Sequence, residues 1–128
     1  MADTTITRKQ LAEKLNEDLS REYQAIIAYV VYSQVLTGAA YTDIAAQLEL
    51  HAKQELDHAL IISRQIDYLG AMPSVTPKLV KTSQKARDML SFDLDIENET
   101  IRNGEAGGDD LGVGYVRRLR VAKLHLVG

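Results

Sequence analysis

The chain contains no cysteine, which removes disulfide frameworks, zinc knuckles and iron–sulfur clusters and leaves oxygen and nitrogen as the donors for any bound metal. Such a donor set suits iron, manganese or zinc. Only two prolines occur, Pro73 and Pro77, so most of the chain is free to form long helices. No stretch reaches the roughly 20 consecutive apolar residues of a membrane span, and the start, Met1 to Thr7, has neither a basic nor an apolar leader region. The expected compartment is the cytoplasm, with no membrane partner. Basic excess is also missing. Fifteen Lys and Arg stand against 18 Asp and Glu, for a net charge of −3 and a pI near 5.6. That balance speaks against a nucleic-acid-binding stripe and in favour of attraction for cations. At 128 residues the chain fits one domain with a real core.

What is present is helical rhythm. Thr7 followed by Gln10 reads as a capping box, and from there to Thr37 neither proline nor glycine interrupts a 3.6-residue apolar period, which predicts helix A over 8–37. Gly38, Ala39 and Ala40 form the turn, Thr42 is positioned to cap helix B over 42–69, and Gly70 stops it. Pro73 and Pro77 mark a connection, after which helix C is predicted over 79–103. From Asn103 onward the composition changes, with Gly104, Gly107, Gly108, Gly112 and Gly114 close together. No stable helix is expected at that glycine density. The division is therefore a helical domain over 1–103 and a glycine-rich segment with a basic tail over 104–128, irregular or flexible. Its last part, Tyr115 to Gly128, could be a short helix or a strand. Gly112-Val113-Gly114 lacks the third glycine and the strand context of a dinucleotide loop.

Within the three helices, acids stand where aliphatic residues are due. Helix A carries the inward stripe Leu15, Leu19, Glu22, Ile26, Tyr29, and helix B the stripe Leu48, Ala52, Glu55, Ala59, Ile62, Ile66, Leu69. His58 follows Glu55 by one turn on the same face. Helix C repeats the anomaly through Leu90, Leu94, Glu97 and Ile101. One such glutamate is commonly a rim residue or an ion-pair partner. Three at comparable positions repel one another and cost several kcal/mol unless a cation compensates them. The turn lies about as far after Glu22 as before Glu55, so an antiparallel hairpin brings them to one level. Glu22, Glu55, His58 and Glu97 are thus the candidate metal ligands, and carboxylates with imidazole are what non-haem iron and manganese prefer. Tyr29 shares the face of Glu22 and is the candidate catalytic residue, placed to hydrogen-bond a ligand or donate an electron. His51 is expected to be structural or on the surface, and His125 has no distinguishing context. Tyr23 and Tyr32 are read as packing residues, while Asp43, Glu49, Asp57, Asp67, Asp93 and Asp95 are read as a largely solvated face.

Over roughly Lys9 to Arg102 the sequence resembles the ferritin-like superfamily, and within it bacterioferritin. The resemblance rests on Leu15-Asn16-Glu17-Asp18-Leu19 leading to Glu22-Tyr23-Gln24-Ala25-Ile26, on Glu55-Leu56-Asp57-His58-Ala59, and on Asp93-Leu94-Asp95-Ile96-Glu97. It implies an all-α four-helix bundle around a di-iron centre. Glu22 and His58 would hold one iron, Glu55 would bridge, and Glu97 would serve the second. The activity it implies is ferroxidation, the oxidation of Fe(II) by oxygen or peroxide before storage, with Tyr29 matching a tyrosine near that centre.

Two departures shape the expectation. The family binds haem through a methionine directly after the helix-B ligand glutamate, and Leu56 stands there, so haem is not expected. The family's fourth helix carries a second Glu-x-x-His, which no residue after Asn103 supplies, giving a divergent or truncated C-terminus. Three helices leave an apolar seam for a partner chain. The favoured arrangement is a homodimer or small homo-oligomer in which two A–B hairpins provide the four-carboxylate, two-histidine set of helix-bundle di-metal sites. A storage cage is not expected. The alternatives are a non-catalytic helical metal-binding or interaction protein, and a di-metal enzyme of the oxygenase or catalase type on the same bundle.

Overall fold

The computed structural model describes residues 6–36 and 38–107, with side chains for all of these except 97 and 100–107. Three long helices follow one another: α1 (Arg8–Val35), α2 (Thr42–Tyr68), preceded by a 3-10 turn at Ala39–Tyr41, and α3 (Ala86–Gly107). The expected capping box closes the start of α1: Gln10 N–H donates to Thr7 Oγ1 (3.1 Å), and the Gln10 side chain accepts from Thr7 N–H (2.9 Å). The helix ends at Val35, ahead of the expected 37, because Leu36 turns to extended backbone (ψ 114°) and Gly38 takes φ +98°. Thr42 is already the first helical residue of α2 and Tyr41 the cap, so the expected threonine cap is not formed. At the far end, Leu69 is the capping residue. Gly70 at φ +82° lets its N–H reach Asp67 O (2.9 Å) while Ala71 N–H reaches Ile66 O (3.2 Å). This is the Schellman closure that a glycine after the last helical turn permits.

Helices α1 and α2 form an antiparallel hairpin whose free ends meet, with Arg8 Nη2 donating to Tyr68 O at 3.3 Å. Its interior divides into two apolar clusters. One gathers Leu19, Ala59 and Ile66; the other gathers Ala25, Ala28, Tyr29 and Tyr32 of α1, Ile44, Leu48 and Ala52 of α2, and Met89, Leu90 and Ile96 of α3. Glu22 and Glu55 fall in sequence between the two clusters on both helices.

The predicted start of the third helix at 79 is corrected to Ala86. Residues 71–85 instead form a strap along α1, held by Asn16 to Met72 O (3.0 Å), Asn16 Oδ1 accepting from Ser74 N–H (2.6 Å), Lys78 N–H to Ser20 O (3.1 Å) and Gln24 to Leu79 O (2.8 Å). Tyr32 Oη completes the series by donating to Lys81 O. These partners lie about fifty residues away in sequence and satisfy backbone groups that a helix would otherwise pair locally. The predicted stop at 103 is corrected as well, since α3 continues to Gly107. Gly104 and Gly107 each cost about 1 kcal/mol relative to alanine in a helix, which weakens the last turn without forbidding it. Residues 108–128, which include His125 and the Gly112–Gly114 stretch, lie outside the described residues.

Asp93 departs from the solvated face assigned to it: it is fully buried on α3. Asp43, Glu49, Asp57, Asp67 and Asp95 are exposed, as expected. Burial, and secondarily the charge of Asp93, push the Tyr32 phenol up to about 12. The sign of the linkage follows. Below pH 10 the phenol is neutral in both folded and unfolded chains; between there and about 12 the unfolded chain releases a proton that the folded chain keeps, so stability falls as pH rises. Tyr32→Phe is therefore expected to flatten the alkaline slope while losing one hydrogen bond, about 1 kcal/mol at neutral pH. Urea unfolding of both proteins at about pH 9 and about pH 11 checks this; parallel losses would show that Tyr32 is not the titrating group.

Candidate metal centre

The site is built from three positions that helical geometry and hairpin pairing place together. Glu55 and His58 are one turn apart on α2, and Glu22 arrives from α1, where it occupies the gap between Leu19 and Ala25 in the core. One ligand atom of each of Glu22, Glu55 and His58 lies within 4.8 Å of the others. Among the described residues this is a group of two carboxylates and one imidazole, hard oxygen with borderline nitrogen, and it fits iron, manganese or zinc.

Glu55 is the one buried member of the three. Glu55 is buried with 6% of its surface exposed, Glu22 is half-buried, and the His58 side chain is 42% exposed. A cation therefore has an approach from the His58 side, with the fully enclosed charge at the back. His58 Nδ1 stands 3.5 Å from Glu55 Oε2, close enough for electrostatic attraction but beyond an ordinary hydrogen bond. The Glu55 carboxylate faces a second histidine on its other side. His51 Nε2 donates to Glu55 Oε1 at 2.9 Å, and the His51 ring, 2% exposed, stacks on Tyr29 with centroids 4.6 Å apart and planes inclined by 21°.

Of the predicted site residues, the structure unites Glu22, Glu55 and His58. Tyr29 is buried in the core, and the contact that defines it is the stack on His51. Glu97 lies on α3, and its side chain lies outside those described. His51, expected to be structural or on the surface, is buried and hydrogen-bonded to a candidate ligand, a contact that was not anticipated. The available signal was its spacing: it precedes Glu55 by four residues and His58 by seven, which places all three on one helical face.

Comparison with known proteins agrees with this fold. The Ferritin-like domain family is matched over residues 12–106. Bacterioferritin of Mycobacterium leprae (strain TN) is 28% identical over 94 residues, covering 73% of this chain and 59% of that protein. The bacterioferritin of Streptomyces coelicolor is 26% identical over 93 residues, covering 72% and 56% respectively. The chain thus spans less than two thirds of the curated relatives it matches. A solved ferritin-like, diiron-carboxylate protein from Bacillus anthracis str. Ames superposes with a TM-score of 0.72 at 31% identity, covering 94% of this chain and 86% of that one. A dodecameric thioferritin from Bacteroides fragilis, described as bacterioferritin-related, shares the fold with a TM-score of 0.69 at 23% identity, covering 95% and 82%.

Proposed function

The chain belongs to the Ferritin-like domain family, and from that premise we propose that it binds iron at Glu22, Glu55 and His58 and oxidises Fe(II) there as a ferroxidase. The observation that carries the reading is the convergence of those three ligand atoms within 4.8 Å, from two helices, between two apolar clusters. Fe(II) is the substrate, and each ion gives up one electron to dioxygen or peroxide. The protein's part is electrostatic. Two carboxylates in a partly desolvated site favour the ferric over the ferrous charge, because an added positive charge gains more where the effective dielectric is low. The exposed His58 admits the cation, and Glu55 anchors the interior end. Manganese or zinc would fit the same donors. In this reading Glu97 adds a carboxylate from α3 for a second ion, and Tyr29 serves as an electron donor behind the ligands. Leu56 is half exposed and carries no atom that ligates haem iron, so haem has no place in the proposal.

A partner chain belongs to the same reading. The hairpin leaves Ile27, Val30, Leu50, Leu56, Leu60 and Ile61 between 39% and 52% exposed, and apolar side chains at that density on two packed helices favour a cover. A second copy would contribute another Glu22 and another Glu55-x-x-His58, completing a four-carboxylate, two-histidine set. Among the described residues no helix is long and apolar enough to cross a membrane.

The test is anaerobic loading with Fe(II) followed by admission of air. A ferroxidase gives an absorbance rise faster than the buffer blank. A trace that follows the blank would leave a non-catalytic metal-binding or interaction protein. Storage is not part of the proposal, which rests on the three-residue ligand group found among the described residues. Size-exclusion chromatography after aerobic iron loading is accordingly expected to show a small oligomer holding at most about two ions per site. Elution as a large shell with many irons per chain would overturn that expectation.

A further inference from the structure

We propose that His51 is a positioning residue of the metal centre, holding the Glu55 carboxylate in place before a cation arrives. This rests on the metal-binding reading above. The two oxygens of Glu55 are divided between two histidines of the same helix. Oε1 accepts from His51 Nε2 at 2.9 Å, and Oε2 lies 3.5 Å from His58 Nδ1. The two histidines differ in setting, since the His51 side chain is 2% exposed and that of His58 42%. A cation can replace solvent around His58. His51 is enclosed in the core, with its ring against Tyr29.

A glutamate has three side-chain torsions, and leaving them free makes each ligation event carry an ordering cost. The His51 hydrogen bond removes much of that freedom before the cation arrives. His51 is in turn fixed by its stack on Tyr29, 4.6 Å between centroids, so the ring plane that aims Nε2 at Oε1 is set by α1 while the donor and acceptor both sit on α2. Outer partners of this kind typically change metal affinity 10–100-fold when lost.

The experiment compares Co(II) binding by the full chain with its His51→Gln, His51→Leu and His51→Phe variants, read by the visible absorption of the bound ion. Circular dichroism and melting of the metal-free proteins serve as the fold control. Gln keeps a side-chain donor; Leu and Phe keep apolar volume without one, and Phe also keeps a ring against Tyr29. We expect Leu and Phe to bind Co(II) about 10–100-fold more weakly with an altered spectrum, and Gln to recover most of the affinity. Wild-type affinity and spectrum in the Leu or Phe variant would overturn the inference, as would equal losses in all three. Unfolding of both apolar variants would assign His51 to folding and also overturn it. A wild-type chain that does not bind Co(II) would instead remove the metal-binding reading on which the inference stands.

Discussion

His58→Ala is expected to weaken binding of Fe(II) or Co(II) by more than about 100-fold, beyond the range that loss of an outer partner produces. His58 is the nitrogen donor of the three-residue group and its side chain is 42% exposed, so its removal deprives the site of a ligand without opening a cavity in the core. The fold should survive, since a half-exposed side chain contributes little apolar burial. His51→Ala is expected to cost less affinity and more stability, because His51 is 2% exposed and packs on Tyr29. Titration of both variants, with melting curves of the metal-free proteins, separates the two histidines. Equal affinity losses would mean that both ligate, or that neither does.

Glu55→Gln is expected to make the variant the more stable protein without metal and the less stable one with it. The substitution keeps an amide oxygen to accept from His51 Nε2 but removes a buried charge that faces Glu22 within the 4.8 Å group. With chelator present, relief of that repulsion should stabilise the variant by on the order of 1 kcal/mol, a figure held down by the two histidines that already attract Glu55. With metal at about 100 times its dissociation constant, the wild type should gain about 2.7 kcal/mol through preferential binding to the folded state, and the variant close to nothing. Melting the two proteins with chelator and with saturating Zn(II) gives the comparison. A variant that is less stable under both conditions would show that the Glu55 charge is fully compensated without a cation.

The candidate site was legible to the extent that it obeys helical periodicity. Glu22 and Glu55 occupy steps of an apolar stripe, His58 follows Glu55 by one turn, and the short turn at Gly38–Ala40 brings the two helices to one level. All three relations are local, or depend on one short connection. Glu97 was chosen by the same rule on the third helix, and its side chain lies outside those described. Asp93 was misplaced because the stripe chosen for that helix ran through Leu90 and Leu94, which puts residue 93 at its edge; that edge is buried too, near enough to Tyr32 for the Asp93 charge to act on the phenol.

The sequence by itself determined that the protein is helical, that the capping box starts its first helix at residue 8, that any metal must use oxygen and nitrogen donors, and which carboxylates break the apolar pattern. These follow from backbone hydrogen bonding within four residues and from donor chemistry that composition states directly. Only the tertiary structure decided that residues 79–85 lie outside the third helix, where the Leu79 and Lys81 carbonyls accept from side chains of α1. It also decided the place of His51. Spacing put that ring on the right face, but its burial and its aim at Glu55 come from Tyr29, a residue on another helix. Contacts between distant segments depend on how whole helices pack, and no local period in the sequence encodes them.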